Sequence, residues 1–369
     1  MLRLGKLMIS SGETNSDMRY ACGVSTPDDI IWFSADAVKA IVASALEYDR
    51  VKSERRSDTA VFSDSEFGGP KHLDVVRNIA LRYRLDGFTV PGDFPLLTAE
   101  KLRESGLVIE PQEGDFFPER EYKELDEVEK ITRSLRIAEA GCRRAFEVLR
   151  ESDISKEGTL IWQSAVLTSE ILRSEIDCTM LKLGCLPTGT ICAGAVQGSQ
   201  PHNQGSGALY ANTPIVMDIF PRSATTGYWG DLTRTVVRGR AGDIVKKAYD
   251  AVFEARELAK EQLCAGANPS EIHNLAASSM ESKGFYTGFG DSGNFGFFHS
   301  LGHGVGLDIH ENPRLSPRNP EPLKGGEVVT IEPGLYYAEW GGIRLEDMAY
   351  IPEKGKAVIL TEIETFLEL

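Results

Sequence analysis

Residues 126–369 repeat one order of predicted elements, and this repeat limits the fold more than any other feature. The first round is two helices followed by three strands, predicted at residues 126–149, 160–183, 189–193, 214–220 and 232–237. Asp126 is the predicted N-cap of the first helix, and Gly184 ends the second. The second round has helices at residues 243–263 and 270–283, then β-rich sequence. The repeat predicts an internally duplicated α+β domain with a site between its halves.

The preceding segment alternates strand-like and helix-like stretches, which predicts a smaller α/β domain. The strands are predicted at residues 29–33, 59–62 and 87–90, and the helices at residues 35–48, 72–83 and 99–105. No GxGxxG sequence follows a strand, so nucleotide binding has no support. Residues 111–120 are rich in proline, glycine and charge, as a linker is. At 369 residues the chain suits two domains, predicted at residues 1–124 and 125–369.

Four carboxylates stand inside apolar, strand-like runs where β-branched residues would be expected. They are Asp218, Asp231, Glu332 and Glu346. Burying a carboxylate costs free energy unless it is paired or bound to a cation. One such residue would most often be salt-bridged or at a sheet edge, whereas four in one domain favour a shared cation site.

Three of the six histidines lie in one glycine-rich segment, residues 297–310, with the sequence FFHSLGHGVGLDIH. His303 lies four residues after His299 and seven before His310. Glycines allow the backbone to approach a ligand or a metal closely. Beside four carboxylates, this spacing favours a functional cluster over three isolated structural histidines.

One histidine with four carboxylates is an oxygen-rich donor set. Such a set suits Mn²⁺, Co²⁺ or Zn²⁺ and is unlike a zinc site built from cysteine thiolates. Four ionised carboxylates carry a charge of about −4, which two divalent ions neutralise. Two ions roughly 3.5–4 Å apart share a water, lower its pKa and direct it at a carbonyl. The predicted reaction class is therefore metal-assisted hydrolysis.

The formal charge of −15 argues against general binding of nucleic acid or anionic membranes, because both require a basic surface. No stretch approaches the roughly 20 apolar residues that a transmembrane helix needs. The first ten residues have no sustained apolar run, as a signal peptide would have. We therefore expect a cytoplasmic protein, with its six cysteines reduced.

From about Asp126 to Leu369 the chain resembles the pita-bread metallopeptidases, which include methionine aminopeptidase, aminopeptidase P and Xaa-Pro dipeptidase (prolidase). The resemblance rests on four motifs in the family's order: GYWGDLTRT, HSLGHGVGLDIH, IEPGLYY and IRLEDM. It implies a duplicated pita-bread catalytic domain at residues 125–369. Residues 1–124 would be a smaller α/β domain, similar to the N-terminal domain of creatinase and prolidase.

The resemblance also implies roles for individual residues. The metal ligands would be Asp218, Asp231, His303, Glu332 and Glu346. Asp231 and Glu346 would bridge two divalent ions, with manganese expected first and cobalt or zinc as alternatives. Glu332 would also act as general base on a metal-bridging hydroxide. The substrate residues would be His202, His299, His310 and Arg344, of which His202 and His310 would also assist catalysis.

The sequence around Asp218 departs from the family's pattern. The family has a DxG sequence here and its second aspartate eleven residues later, whereas this chain has Phe220 at the glycine position and Asp231 thirteen residues later. Two extra residues in the turn keep both aspartates on one face, because side chains alternate along a strand. We expect the turn, residues 221–226, to lie near the pocket and to narrow it towards short peptides.

Residues 1–124 favour the proline-directed branch, since methionine aminopeptidases generally lack a domain of this size. These residues would mediate a homodimer and shape the substrate site. The substrates would be Xaa-Pro dipeptides or peptides with proline at the second position, cut at the N-terminal bond. An Xaa-Pro bond has no N–H and a fixed φ, so a shaped apolar pocket can accept it. Arg222 and Arg344 are the candidates for binding the substrate carboxylate.

Three alternatives remain. The chain could be a methionine or other aminopeptidase of the same fold. It could be a non-catalytic pita-bread protein used for binding, or a creatinase-like amidinohydrolase that works without metal. All five metal-ligand positions carry suitable residues, which counts against the last two.

Overall fold

The structure, a computed structural model, describes residues 2–291 and 293–369. The chain divides into two compact units between Arg120 and Glu121, four residues before the expected domain boundary. Among the described residues, no helix is both long and apolar enough to cross a membrane. Each unit is described by itself below.

The first unit is a six-stranded mixed sheet with the strand order β4-β3-β2-β1-β5-β6. Its strands are β1 (Leu4–Ser11), β2 (Asp29–Ala35), β3 (Val38–Ala43), β4 (Ala60–Ser63), β5 (Gly87–Val90) and β6 (Val108–Pro111). Its helices are α1 (Ser16–Cys22), α2 (Tyr48–Glu54), α3 (His72–Tyr83) and α4 (Leu96–Glu104). Alternate strand residues are buried in two apolar clusters, one with Leu7, Ile31 and Phe33 and the other with Met8, Ile30 and Trp32. The sheet is therefore covered on both faces.

The expected helix at residues 35–48 is wrong. Residues Val38–Ala43 form β3, which pairs antiparallel with β2 across a tight turn at Asp36 and Ala37. Asp36 has a φ of 52°, in the left-handed region that such hairpin turns use. Residues 40–43 are all buried, so the strand lacks the polar alternation that marks a strand exposed on one face. Apolar runs of this kind have no periodicity that separates helix from strand.

The central strand β1 was missed. It pairs antiparallel with β2 and parallel with β5, so it joins the two parts of the sheet. Lys6, Ser10 and Ser11 interrupt its apolar pattern, which is why the sequence shows no sustained strand signal there.

The first half of the second unit packs two helices against a three-stranded sheet of order β11-β12-β14. The helices are α5 (Leu125–Glu151) and α6 (Ser169–Lys182). The strands of this half are β7 (Asp153–Ile154), β8 (Leu160–Trp162), β9 (Ala165–Val166), β10 (Cys185–Leu186), β11 (Ile191–Gly194), β12 (Pro214–Asp218), β13 (Arg222–Ser223) and β14 (Thr233–Val237).

The second half again begins with two packed helices, α7 (Asp243–Gln262) and α8 (Pro269–Ser282). A five-stranded sheet of order β18-β17-β19-β22-β23 follows. The strands of this half are β15 (Gly288–Gly290), β16 (Gly293–Phe295), β17 (Gly302–Gly304), β18 (Glu311–Leu315), β19 (Val328–Ile331), β20 (Gly334–Tyr337), β21 (Gly341–Arg344), β22 (Asp347–Tyr350) and β23 (Val358–Ile359). The second unit therefore has the two rounds of elements that the sequence predicts.

The expected helix at residues 160–183 is wrong over its first part. Strands β8 and β9 form a hairpin there, with Gln163 and Ser164 at φ values of 50° and 65° in its turn. The helix begins at Ser169, after Thr168 accepts a hydrogen bond from the backbone N–H of Ile171 at 3.3 Å. The apolar spacing of the hairpin continues that of the helix, which hides the boundary in the sequence.

The two halves of the second unit join along β14. The hydroxyl of Thr235 donates to the backbone carbonyl of Arg344 and accepts from its N–H, both at 3.0 Å. The N–H of Glu346 donates to the carbonyl of Thr233, also at 3.0 Å. These contacts place the segment before β22 beside β14, which begins two residues after Asp231 and pairs with the strand that ends at Asp218.

Candidate metal centre and substrate pocket

One cavity of about 600 Å³ in the second unit is lined by all nine residues predicted to bind metal or substrate. The predicted metal ligands on its wall are Asp218, Asp231, His303, Glu332 and Glu346. The predicted substrate residues there are His202, His299, His310 and Arg344. The aspartates come from the first half of the unit and the glutamates from the second, so the cavity lies where the halves meet.

Three of these side chains form a compact donor group. Asp231, His303 and Glu346 are buried, and each offers one ligand atom within 4.8 Å of the other two. Carboxylate oxygens with an imidazole nitrogen are donors that Mn²⁺, Co²⁺ and Zn²⁺ accept. The chemistry of this group therefore fits a divalent cation.

The electrostatics of the two carboxylates also fit a cation. Burial raises the pKa of the Asp231 carboxyl group well above its usual value, and the charge of Asp218 raises it further. Burial likewise raises the pKa of Glu346, with a second contribution from Asp231. Carboxylates that repel one another in a buried site are stabilised by a positive ion between them.

His303 connects the two sides of this group. Its Nε2 atom lies 3.2 Å from Glu332 Oε1 and 3.6 Å from Asp231 Oδ2. Its Nδ1 atom lies 3.1 Å from the carbonyl oxygen of Gly304, which orients the ring with Nε2 towards the carboxylates. Burial raises the pKa of Glu332, but the contacts with His303 outweigh it and lower that pKa to about 2. Glu332 is therefore an ionised carboxylate.

Asp218 is held by two residues rather than by the compact group. Arg344 Nη2 donates to Asp218 Oδ2 at 2.6 Å, and the Thr233 hydroxyl lies 2.9 Å from Asp218 Oδ1. The same hydroxyl lies 2.8 Å from Glu346 Oε2 and accepts from Arg344 Nε at 3.1 Å. A hydroxyl has one proton, so Thr233 donates to one of these carboxylates at a time. The role of Asp218 as a metal ligand stays a prediction.

Tyr336 links Arg344 to a pocket histidine. Arg344 Nη1 donates to the Tyr336 hydroxyl at 2.9 Å, and that hydroxyl lies 2.9 Å from His299 Nε2. His299 Nδ1 lies 2.7 Å from the carbonyl oxygen of Ser300. We assign the Nδ1–H tautomer to His299, because Nδ1 then donates to the carbonyl and Nε2 accepts from the tyrosine. Burial lowers the pKa of His299, which is consistent with a neutral ring.

The other two histidines stand at the open part of the cavity. The ring of His310 lies 4.4 Å from that of His303 and nearly perpendicular to it. Burial and the neighbouring His303 lower the pKa of His310 to about 4, so its ring is neutral near pH 7. His202 is exposed in the loop before β12.

The sequence analysis missed three residues that the structure places at this site. Thr233 and Tyr336 lie within the quoted motifs GYWGDLTRT and IEPGLYY, which is the signal that could have found them. Arg314 lies on β18 opposite His303, is exposed, and lines the cavity. The signal in the sequence that could have identified Arg314 is its position four residues after His310.

Neither Arg222 nor Arg344, the two arginines expected to bind the substrate carboxylate, is placed to do so. Arg222 donates to the carbonyl of Gly227 at 3.2 Å and is absent from the cavity wall formed by the described residues. Arg344 lines the cavity, but its guanidinium contacts Asp218, Thr233 and Tyr336. Arg314 is therefore the better candidate for that role.

The long turn after Asp218 is anchored at both ends. Its strand β13 pairs with β10, and Ala224 donates to the carbonyl of Gly184 at 3.1 Å. Trp229 donates through its backbone and its Nε1 atom to the carbonyls of Gly306 and Leu307, at 3.0 and 2.9 Å. Phe220, just before this turn, lines the cavity, whereas residues 221–226 are not among the described residues of its wall.

The donor group, the neutral histidines and the four motifs together point to one family. The sequence matches the profile of metallopeptidase family M24 over residues 129–353. This chain belongs to metallopeptidase family M24.

Comparison with individual family members covers the whole chain in two cases. The chain is 29% identical to the Xaa-Pro dipeptidase of Pyrococcus furiosus, over 98% of this chain and 99% of that one. The solved prolidase from the same organism superposes with a TM-score of 0.79, covering 98% of this chain and 96% of that one at 25% identity. Another match is peptidase YqhT of Bacillus subtilis, described as uncharacterized, which is 37% identical over 46% of this chain and 45% of that one.

These similarities confirm the predicted fold, a duplicated pita-bread domain preceded by a smaller α/β domain. They also confirm that the chain is a metallopeptidase, and this family's members use divalent metal ions. The identity and number of the ions, and the individual metal ligands, remain predictions.

Proposed function

We propose that this M24 chain is a two-metal exopeptidase that hydrolyses the N-terminal peptide bond of Xaa-Pro dipeptides. The observation that carries this proposal is the cavity itself, which combines a buried metal-binding group, neutral histidines and one exposed arginine. Relatives named Xaa-Pro dipeptidase, one of them aligned over nearly the whole chain, support the substrate class. Manganese is the proposed metal, with cobalt or zinc as alternatives.

The residues that would hold two divalent ions are Asp218, Asp231, His303, Glu332 and Glu346, and Asp231 and Glu346 would contribute to both ions. Ions in this position would polarise the scissile carbonyl and lower the pKa of an attacking water. Glu332, whose carboxylate lines the cavity, would accept the proton of that water as general base. Neutral His310 donates a hydrogen bond to the oxygen that becomes negative during the attack, and His202, which lines the same cavity, is proposed to do the same.

A dipeptide is favoured over a longer peptide because of Arg314. Its guanidinium lies on the cavity wall, where it can bind a free carboxylate through two parallel hydrogen bonds. In a dipeptide this carboxylate belongs to the proline residue, close to the scissile bond. Apolar wall residues, Phe298 and Ile309 among them, can enclose a proline ring without an acceptor for the missing N–H.

The main test is removal and replacement of the metal. The protein is treated with chelator, then supplied with Mn²⁺, Co²⁺ or Zn²⁺, and assayed on Ala-Pro, Ala-Pro-Ala and Ala-Ala. We expect metal-dependent release of alanine, fastest from Ala-Pro. The enzyme assignment fails if no metal restores release from any peptide, and the proline assignment fails if Ala-Ala is cleaved as fast as Ala-Pro.

The role of Arg314 has its own test. Arg314→Gln should raise KM for Ala-Pro by about tenfold or more, since a charge-assisted hydrogen bond contributes roughly 1.5–3 kcal/mol. The same variant should change KM for Ala-Pro-amide little, because that ligand has no carboxylate. Arg222→Gln is the matched control. Equal effects on Ala-Pro and its amide would remove the argument for a dipeptidase and favour an aminopeptidase.

The remaining parts of the proposal concern assembly and location. We propose a homodimer formed through the first unit, where Leu46, Leu96 and Leu97 have exposed side chains. Analytical ultracentrifugation should give twice the monomer mass, and a monomer at micromolar concentration would exclude this dimer. The proposed location is the cytoplasm, which cell fractionation tests.

A further inference from the structure

Phe220 occupies the position where the family's pattern has a glycine, two residues after Asp218. Asp218 is the last residue of β12, and Phe220 lies two residues beyond the end of that strand. Both line the cavity wall, together with Gly189 and Thr188. A benzyl group therefore lines the same cavity as the metal-binding group, at a position where a glycine would have no side chain.

The surroundings of Phe220 hold its ring in place. A Cβ atom built on Gly189 would lie 3.8 Å from Phe220 Cζ, so the ring edge rests on a residue without a side chain. The φ of Gly189 is 109°, a conformation that favours glycine. The hydroxyl of Thr188 donates to the carbonyl of Phe220 at 3.2 Å, and the turn that follows is bound at Gly184 and Gly306. These hydrogen bonds hold the backbone at Phe220, so its side chain enters the cavity from a fixed position on the wall.

The position of Arg314 suggests which part of the substrate meets this ring. Arg314 lies on β18, which pairs with the strand of His303, in the second half of the unit. Asp218 and Phe220 belong to the first half, Asp218 as the last residue of β12 and Phe220 just after it. A dipeptide with its carboxylate at Arg314 and its scissile carbonyl near His303 therefore directs its N-terminal residue towards Phe220.

We propose that Phe220 sets the upper size limit of the subsite for the N-terminal side chain, so that small residues such as alanine are preferred to large ones. This inference rests on the proposed function, because it takes the orientation of a dipeptide substrate from it. The physical reason is steric, since forcing extra volume against a fixed wall displaces side chains or backbone. Discrimination by a pocket wall of this kind amounts to about 10–200-fold.

The experiment measures selectivity as a ratio. The kcat/KM values for Ala-Pro, Leu-Pro and Phe-Pro are compared for the wild type, Phe220→Ala and Phe220→Trp in the metal-loaded enzyme. We expect Phe220→Ala to raise the Phe-Pro/Ala-Pro ratio by about tenfold or more and Phe220→Trp to lower it. Phe289→Ala, whose side chain is 80% exposed and does not line the cavity, is the matched control and should leave the ratio unchanged.

The outcomes separate this inference from the proposed function. An unchanged ratio in both Phe220 variants, with Ala-Pro still hydrolysed, overturns the role of Phe220 alone. If only Ala-Ala, Leu-Ala and Phe-Ala are hydrolysed, the proline assignment fails. The ratio of kcat/KM for Phe-Ala to that for Ala-Ala, compared between wild type and variants, then decides the role of Phe220. If nothing is hydrolysed, calorimetry measures the binding affinities for Ala-Pro and Phe-Pro instead. An equal ratio of these affinities in wild type and variants overturns the role of Phe220. If Phe220→Ala does not fold, Phe220→Leu and Phe220→Trp supply the comparison.

Discussion

Arg344 Nη2 lies 2.6 Å from Asp218 Oδ2, and this contact joins the two halves of the second unit at the candidate metal centre. Both side chains are largely buried, with 4% and 14% of their surface exposed. The planar guanidinium also reaches Thr233 and Tyr336, so one side chain orients groups from three strands. A buried arginine with this many partners stabilises the position of the carboxylate it contacts.

The first prediction concerns this contact. Arg344→Lys keeps the charge but loses the planar arrangement of donors, so Asp218 and Tyr336 cannot both be held. We expect metal affinity to fall by about 10–100-fold, as is usual when a partner that orients a ligand is lost. Titration of the metal-free protein with Mn²⁺ measures this. Arg222→Lys is the control, and equal affinities in the two variants would contradict the prediction.

The second prediction concerns Thr233. Thr233→Val keeps the shape of the side chain but removes the hydroxyl that contacts Asp218, Glu346 and Arg344. The buried Arg344 Nε–H then loses its partner, which costs about 1–3 kcal/mol of the free energy of unfolding. Urea denaturation measures this loss. Thr213→Val, which removes a surface hydroxyl that donates to the carbonyl of Tyr210, should cost much less.

The third prediction separates the two roles of Glu332. Glu332→Gln keeps an oxygen that can ligate a metal but removes the group that accepts a proton. We expect kcat to fall by about 100-fold or more while most of the bound metal is retained. Activity on Ala-Pro and metal content are measured on the same sample. Full activity in this variant would show that Glu332 is not the general base.

The fourth prediction is a pH dependence of stability at Glu327, a buried side chain away from the cavity wall. Burial, with a contribution from the nearby Glu121, raises the pKa of Glu327 to about 8, although a hydrogen bond from the Lys324 N–H acts against this. Because the folded pKa lies above the unfolded value, the protonated carboxyl stabilises the fold below about pH 4.5. This stability is lost as the pH rises through about 8.

Glu327→Gln should remove this loss, because the amide cannot ionise and its oxygen can still accept from Lys324. The variant should match the wild type in Tm near pH 4 and exceed it clearly at pH 9. Each unit of raised pKa corresponds to about 1.4 kcal/mol. Differential scanning calorimetry across this range tests it, with exposed Glu321→Gln as control. A Tm difference that does not grow with pH would contradict the assignment.

Local sequence signals were sufficient for much of the fold. Helix α3 and strand β5 lie where apolar spacing predicts them, because each has a period that one face of a helix or strand requires. The helices predicted over strand β3 and over the hairpin β8–β9 were wrong for a shared reason. Residues 40–43 are all buried, whereas Ala165 and Val166 are both exposed, so neither segment has the alternation of buried and exposed residues that identifies a strand.

The sequence by itself was enough to predict nine residues that line the cavity. Carboxylates in apolar, strand-like sequence are costly to bury singly, so their positions indicated a shared site before any fold was known. In the structure Asp218 ends β12, whereas Asp231, Glu332 and Glu346 lie just outside strands. Only the tertiary structure decided which groups contact one another. The contact of Asp218 with Arg344 spans 126 positions, and the place of Arg314 opposite His303 depends on how β18 pairs. Strand pairing over such distances depends on the packing of the whole unit, which no local pattern specifies.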